Sequence, residues 1–274
     1  LALINESDYV FREHHGERDR IYARFENESD ALRRSDSGLL NVPYGPHPRS
    51  RFDLFYDAPS TRLVVFIHGG YWQGHSKDRY SCVAAPLMKL GYTVAVVGYP
   101  LAPQVTIKDI TSCISDALKE ICLTVRQHMR PPDRLLLTGH SAGGHLATWA
   151  SLDWDLNWIP IPAVMPISGI FDLDPIMGTS VNRSLGLNPA SAAELSPIRR
   201  DPPSVPVVAI VGSNETTGFQ AQSRNYVDHC NATDRGRAEL VWIDRANHYS
   251  ILLDFFQPNS KILGKISEYM DRRR

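Results

Sequence analysis

Short apolar runs rich in β-branched residues recur along the chain at 52–56, 63–67, 92–97, 135–138, 163–167, 207–211 and 238–243. Most are bounded by Gly, Pro, Asn, Asp or charged residues, and each reads as a β-strand. The intervals at 77–90, 107–128, 142–152 and 218–230 are long enough for helices, and a further helical stretch at 259–270 closes the chain. Strand alternating with helix predicts βαβ units, hence an α/β fold with a mainly parallel central sheet and helices on both faces. The runs at 63–67 and 207–211 are apolar at nearly every position, the pattern of central strands covered on both sides. In such sheets ligands sit at the carboxyl ends of the strands, so the residues that follow each run are where chemistry is expected.

Two stretches fall outside the alternation. Residues 1–50 are charged and broken by Pro43, Gly45, Pro46 and Pro48, and read as an N-terminal arm or short helix leading into the core. Residues 171–206 carry Gly178, Gly186, Pro189, Pro197, Pro202 and Pro203, and are too long and irregular for a simple crossover. Excursions of that length are usually functional lids or insertions. With no repeat of about 20 to 50 residues and no low-complexity tract, one domain over 1–274 is the expected organisation.

Composition narrows the partners. Twenty-nine Lys and Arg balance 30 Asp and Glu, so no broad field attracts nucleic acid or anionic lipid. No apolar run approaches the roughly 18 to 20 residues of a membrane helix, and residues 1–20 carry both signs of charge rather than a signal pattern. The expectation is a soluble, cytoplasmic protein acting on a small molecule, with neither nucleic acid nor membrane as partner; a homodimer is left open. The four cysteines, Cys82, Cys113, Cys122 and Cys230, lack CxxC spacing and suit reduced, mostly buried thiols rather than a disulfide or metal framework. Without a GxxxxGK[ST], GxGxxG or HExxH pattern, no nucleotide, cofactor or metal is expected.

The chemistry concentrates in three places. Gly139-His140-Ser141-Ala142-Gly143 lies directly after one predicted strand and directly before a predicted helix, which is the context a GxSxG nucleophile elbow requires. The turn from strand to helix strains the central residue, crowds its neighbours into needing glycine, and sets Ser141 at a helix N-terminus where developing negative charge is favoured. His68-Gly69-Gly70-Tyr71-Trp72 follows the strand at 63–67 and resembles an HGGG-type loop, whose Gly70 and Tyr71 amides would join that of Ala142 in an oxyanion hole. An alcohol needs a base, and His248, in the loop after the last strand, is the best of the ten histidines. His68, His140 and His145 read as packing or hydrogen-bonded structural residues. In this chain order the acid lies between serine and histidine, after the penultimate strand; Glu215 fits, with Asp244 as competitor. Tyr99-Pro100-Leu101-Ala102-Pro103 reads as a rigid turn.

These residues resemble the α/β-hydrolase fold, and more narrowly the kynurenine formamidase (arylformamidase) family and its bacterial relatives. The resemblance is carried by 68–73 (HGGYWQ), 139–146 (GHSAGGHL), 168–176 (SGIFDLDPI), and Glu215 followed by Phe219, Gln222 and Ser223, and spans roughly residues 43 to 255. The SGIFDLDPI segment discriminates most, because general lipases and esterases do not usually carry it. The resemblance implies Ser141 as nucleophile, Glu215 as acid where members often carry Asp, and His248 as base. It implies hydrolysis of an N-formyl arylamine through a formyl-serine. A small acyl side is expected, with Trp72 or Tyr71 walling the aromatic side, or with Trp72 in an ordinary packing role. A carboxylesterase for small aryl or short-acyl esters uses the same machinery, and a non-catalytic ligand receptor of the same fold is a more distant alternative.

Overall fold

The computed structural model describes residues 6–10, 16–35, 37–58, 60–152, 154, 159–232 and 237–272. Its strands are β1 (Gly38–Pro43), β2 (Arg51–Phe55), β3 (Arg62–Ile67), β4 (Thr93–Val97), β5 (Arg134–His140), β6 (Val164–Ile167), β7 (Val207–Gly212) and β8 (Ala238–Ile243). They form one sheet in the order β1-β2-β4-β3-β5-β6-β7-β8. The pairs β1/β2 and β2/β4 are antiparallel, and all pairs from β4 through β3 to β8 are parallel. Every described position of β4 and β7 is buried, as is all of β3 and β5 beyond the first residue. The near-continuous apolar runs therefore do mark central strands covered on both faces.

The helices are α1 (Arg18–Arg33), α2 (Lys77–Tyr80), α3 (Ala84–Lys89), α4 (Ile107–His128), α5 (Ala142–Leu152), α6 (Asp174–Met177), α7 (Asn182–Leu185), α8 (Pro189–Leu195), α9 (Thr217–Asn231) and α10 (Lys261–Asp271). The start of α4 is fixed by a capping box: the Thr106 side chain accepts from the Asp109 amide while the Asp109 carboxylate accepts from the Thr106 amide. Its apolar stripe, including Ile107, Ile110, Ile114, Leu118 and Ile121, is buried.

One expectation needs correction, and two stretches gain detail. The single helix expected at 77–90 is two short ones joined by a 3₁₀ turn at Ser81–Val83. Pro86 lacks an N–H and is accommodated only in a first turn, so a new helix has to begin just before it. Where an N-terminal arm or short helix was expected, α1 has 16 residues and buries Ile21, Phe25 and Ser29, and β1 adds an antiparallel edge. The stretch 171–206 is built from α6, α7, α8 and a 3₁₀ turn at Pro197–Arg199, with Ile176, Leu185 and Leu195 buried.

Among the described residues no helix is long and apolar enough to cross a membrane, and no group of three or more His, Cys, Asp or Glu could hold a metal ion. Cys82, Cys122 and Cys230 are buried, and burial pushes their thiols up to about 11, 12 and 11, so they are not thiolates at neutral pH.

Candidate active site

Strain collects at one edge of the sheet. Among the described residues seven non-glycine positions have left-handed backbone, and five of them are Tyr71, Trp72, His75, Ser141 and Ser168. These follow the carboxyl ends of β3, β5 and β6. Each such residue costs of the order of 1 to 3 kcal/mol and persists only where its surroundings over-determine it, often at functional sites.

Ser141 has φ +56° and links β5 to α5 without an intervening loop. Its amide donates to Ile167 O at 2.8 Å, tying the turn to β6. The glycine two residues on is a steric requirement: a Cβ on Gly143 would lie 2.0 Å from Ile67 O and 2.6 Å from His68 O. The first turn of α5 thus lies directly on the end of β3, which brings the loop at 68–75 alongside the elbow.

That loop is braced from behind. The Tyr99 ring stacks on His68 at 4.3 Å and its hydroxyl donates to His68 O at 2.8 Å, while the Ala102 amide donates to Trp72 O at 2.8 Å. The turn at 99–103 is therefore part of the site's scaffold.

Glu215 stands at the end of β7, its side chain fully buried. Oε1 accepts from the Ser168 hydroxyl at 2.6 Å and from the Gly212 amide at 2.9 Å, and Oε2 accepts from His248 Nδ1 at 2.9 Å. The histidine loop reaches the acid because position 212 has no side chain; a Cβ there would lie 2.1 Å from Ala246 O. Asn214 N–H···O=C Ala246 at 2.9 Å fixes that approach. Asp244 stands apart: its side chain is exposed and pairs with Lys261 on the surface.

The other nearby histidines differ in kind from His248. His68 Nδ1 donates to Gly69 O, His140 Nε2 to His248 O and His145 Nε2 to Leu195 O, at 2.7, 2.9 and 2.8 Å. Each is buried and bonded to a carbonyl, which fixes the tautomer. Burial lowers His68 to about 3 and His145 to about 4, and holds His140 well below the usual imidazole value. They are neutral braces. His248 is the histidine with a carboxylate on Nδ1.

Ser141, His140, His248, Gly70 and Tyr71 border one cavity of about 620 Å³. Ala142, the first residue of α5, is buried directly behind Ser141. Trp72 was expected either at the pocket wall or in a packing role, and it does not line the cavity. Its indole is fully buried and meets the His145 ring edge-on at 5.0 Å, so it packs the core while its neighbour Tyr71 faces the open space.

The opposite wall is built largely from the N-terminal region and the 171–206 stretch. It comes from Tyr9, Val10, Arg18, Asp19 and Tyr22 of the N-terminal region, with Ser180, Val181, His75, Arg79 and Tyr249. Tyr22 meets His75 edge-on at 4.9 Å and Tyr249 at 5.9 Å, and the Arg79 guanidinium lies 4.9 Å over its ring. Burial, reinforced by Tyr249, pushes the Tyr22 phenol up to about 12, so it stays neutral. Side-chain tethers hold the wall to the segments that follow β3, β7 and β8. Tyr71 OH donates to Tyr9 O at 2.6 Å, Thr216 OH to Asp8 O at 2.6 Å, Thr217 OH to Asp8 Oδ1 at 2.8 Å, and Asn247 Nδ2 to Glu17. Phe219 bridges the two regions, packed 4.1 Å from the His248 ring and 5.8 Å from that of Tyr9.

A mainly parallel sheet with a strained serine elbow, a glycine loop at the next strand end and a buried His–carboxylate pair defines an α/β-hydrolase. Comparison with known proteins carries the assignment further. The chain is 31% identical over 226 residues to the kynurenine formamidase of Salmo salar, covering 78% of this chain and 76% of that protein. It belongs to the kynurenine formamidase family. Residues 54–159 match the BD-FAE family. An isoprenylcysteine alpha-carbonyl methylesterase of Arabidopsis thaliana is 27% identical over 78% of this chain and 57% of its own length. A Silicibacter protein solved as a candidate thioesterase superposes with a TM-score of 0.78 at 28% identity, covering 96% of both chains.

Proposed function

We propose that this protein is a serine hydrolase that cleaves N-formyl arylamines, releasing formate and the aromatic amine. In this reading Ser141 Oγ attacks the formyl carbon while His248 takes its proton, and Glu215 fixes the imidazole and stabilises the imidazolium without itself taking the proton. The Gly70, Tyr71 and Ala142 amides receive the oxyanion, an arrangement in which losing one donor typically costs about 10²- to 10³-fold. The protonated imidazole then delivers its proton to the departing nitrogen as the C–N bond breaks. This step matters most, because an anilide anion is a poor leaving group. Water, deprotonated by the same histidine, attacks the formyl-serine, and formate leaves as Ser141 regains its proton.

The observation that supports this most is the buried His248 Nδ1···Glu215 Oε2 bond of 2.9 Å, with His248 and Ser141 on one cavity. The family membership adds the formamide. The methylesterase relative favours a second reading, a carboxylesterase for small aryl or short-acyl esters, run by the same residues. The deciding measurement is kcat/KM on N-formylkynurenine against phenyl acetate. The formamidase reading expects efficient release of formate, lost by at least about 10⁴-fold in both Ser141→Ala and His248→Ala. A preference for the ester by several orders of magnitude removes it in favour of the second reading.

A further inference from the structure

The segment Ser168-Gly169-Ile170-Phe171-Asp172 is the most distinctive motif of the chain, and the chemistry above assigns it no task. It leaves the carboxyl end of β6. Ser168 is fully buried and has φ +49°, a backbone conformation that L side chains rarely adopt. Its amide donates to Ile210 O at 2.7 Å, which pins it to β7, the strand that leads into Glu215. Further along, the Gln222 side chain accepts from the Phe171 and Asp172 amides, both at 2.8 Å, and donates to Asp172 O at 2.8 Å. Gln222 belongs to α9, which begins two residues after Glu215. The motif is thus fastened on two sides to the element that carries the acid.

We infer that Ser168 is a positioning residue for Glu215, and that the two form a matched pair. This rests on the triad reading above. The Ser168 hydroxyl and the Gly212 amide together occupy Oε1, at 2.6 and 2.9 Å, so that Oε2 is the oxygen presented to His248 Nδ1. A glutamate carries one more rotatable bond than an aspartate, and the strand-end amide alone fixes its carboxylate at a single point. The hydroxyl supplies the second point. An aspartate would end about 1.5 Å short, one carbon–carbon bond, and leave the buried hydroxyl without its acceptor. The left-handed backbone at 168 is what aims this hydroxyl at the neighbouring strand end.

The test compares Ser168→Ala, Ser168→Gly, Glu215→Asp and the Ser168→Ala/Glu215→Asp double variant in the full chain. Three readouts are taken: kcat and KM, the rate at which a fluorophosphonate labels Ser141, and the low-field proton resonance of the imidazole Nδ1–H. Both Ser168 variants are expected to lower kcat and labelling rate by about 10- to 100-fold, the range for a lost hydrogen bond to a charged group, with KM within about twofold. The low-field resonance should shift or broaden. Ser168→Gly accepts the left-handed backbone without strain, so it should show the same loss at unchanged or higher Tm, separating the hydroxyl from any folding role. The double variant should be no slower than Glu215→Asp alone. The proposal is overturned if either Ser168 variant stays within twofold of the parent in kcat and labelling, or if the two losses multiply. Labelling does not depend on the choice of substrate. Slowed labelling without formamide turnover would therefore sink the formamide reading and leave Ser168 in its role, whereas an unaltered chain that never labels sinks both.

Discussion

The floor and the wall of the cavity are built by opposite means. The floor, made of the elbow at 139–144 and the loop at 68–75, is packed backbone against backbone, with glycines where no Cβ fits and the Tyr99 side chain bracing the loop from behind. The wall at 6–10 and 16–22 is held by side chains reaching across the fold: Tyr71 to Tyr9, Thr216 to Asp8, Asn247 to Glu17. Close backbone packing has a single solution and fails when a methyl group is added. A tethered wall can change its side chains while keeping its place. The chemistry shared by a family fits the first kind of construction, and selection among substrates fits the second.

The largest effect that would sharpen this contrast is Gly143→Ala. Its new Cβ would lie 2.0 Å from one backbone carbonyl and 2.6 Å from another, and neither can move without displacing the end of β3. We expect loss of soluble folded protein, or failing that at least about 4 kcal/mol of stability. Val10→Ala in the wall should express normally and fall within about 1 kcal/mol of the parent in a urea titration. Equal tolerance at the two positions would break the comparison.

The floor also has a signature in pH. His68 and His145 are buried and neutral, with folded values of about 3 and 4 against 6.5 when unfolded. Between those limits the unfolded chain binds protons that the folded one does not, so stability is present above pH 6.5 and is lost as pH falls toward the folded values. Each histidine contributes a slope of up to about 1.4 kcal/mol per pH unit in that window. We expect Tm to fall steadily from pH 6.5 to 4.5. His145→Gln, whose amide can still donate toward Leu195 O but cannot take a proton, should make that fall shallower. An unchanged slope in the variant would show that other groups govern acid unfolding.

The same division explains what could be read from sequence. The βαβ alternation fixed the parallel core because buried strands need apolar residues at successive positions, and 63–67 and 207–211 carry them. The elbow, the glycine loop, and the choices of His248 and Glu215 followed from position relative to strand ends, and the structure brings His248 and Glu215 into direct contact. The short edge strand β1 was missed, since its burial does not alternate and Gly38 and Pro43 disguise it. How the N-terminal helix is fastened to the sheet could not be read, because long-range charge pairing has no local pattern. Asp53 on β2 is buried between Lys77 on α2, at 2.8 Å, and Arg33 on α1, joining residues up to 44 positions apart. Ser168 was singled out only as part of a motif and given no role for the same reason: nothing near it in sequence shows that its hydroxyl meets a carboxylate 47 residues away. Trp72 could be read either way because a large aromatic in the glycine loop suits a pocket wall or the core, and its depth is set by the elbow helix beneath it.

The smallest expected effect tests where floor ends and wall begins. Tyr71 belongs to both, since its backbone lies in the glycine loop with φ +50° and its hydroxyl donates to Tyr9 O at 2.6 Å. Tyr71→Phe keeps the ring that borders the cavity and the amide assigned to the oxyanion, and removes one tether. A neutral hydrogen bond of this kind is worth about 1 kcal/mol net, or about fivefold in an equilibrium. If the tether serves only the wall, KM for an aryl formamide rises by about fivefold, kcat stays within about twofold, and a small formyl ester with no aromatic group is turned over as before. If instead the tether steadies the loop that receives the oxyanion, kcat falls for both substrates and KM holds. The second outcome would erase the boundary between the two regions, because a wall contact would then be setting the geometry of the transition state.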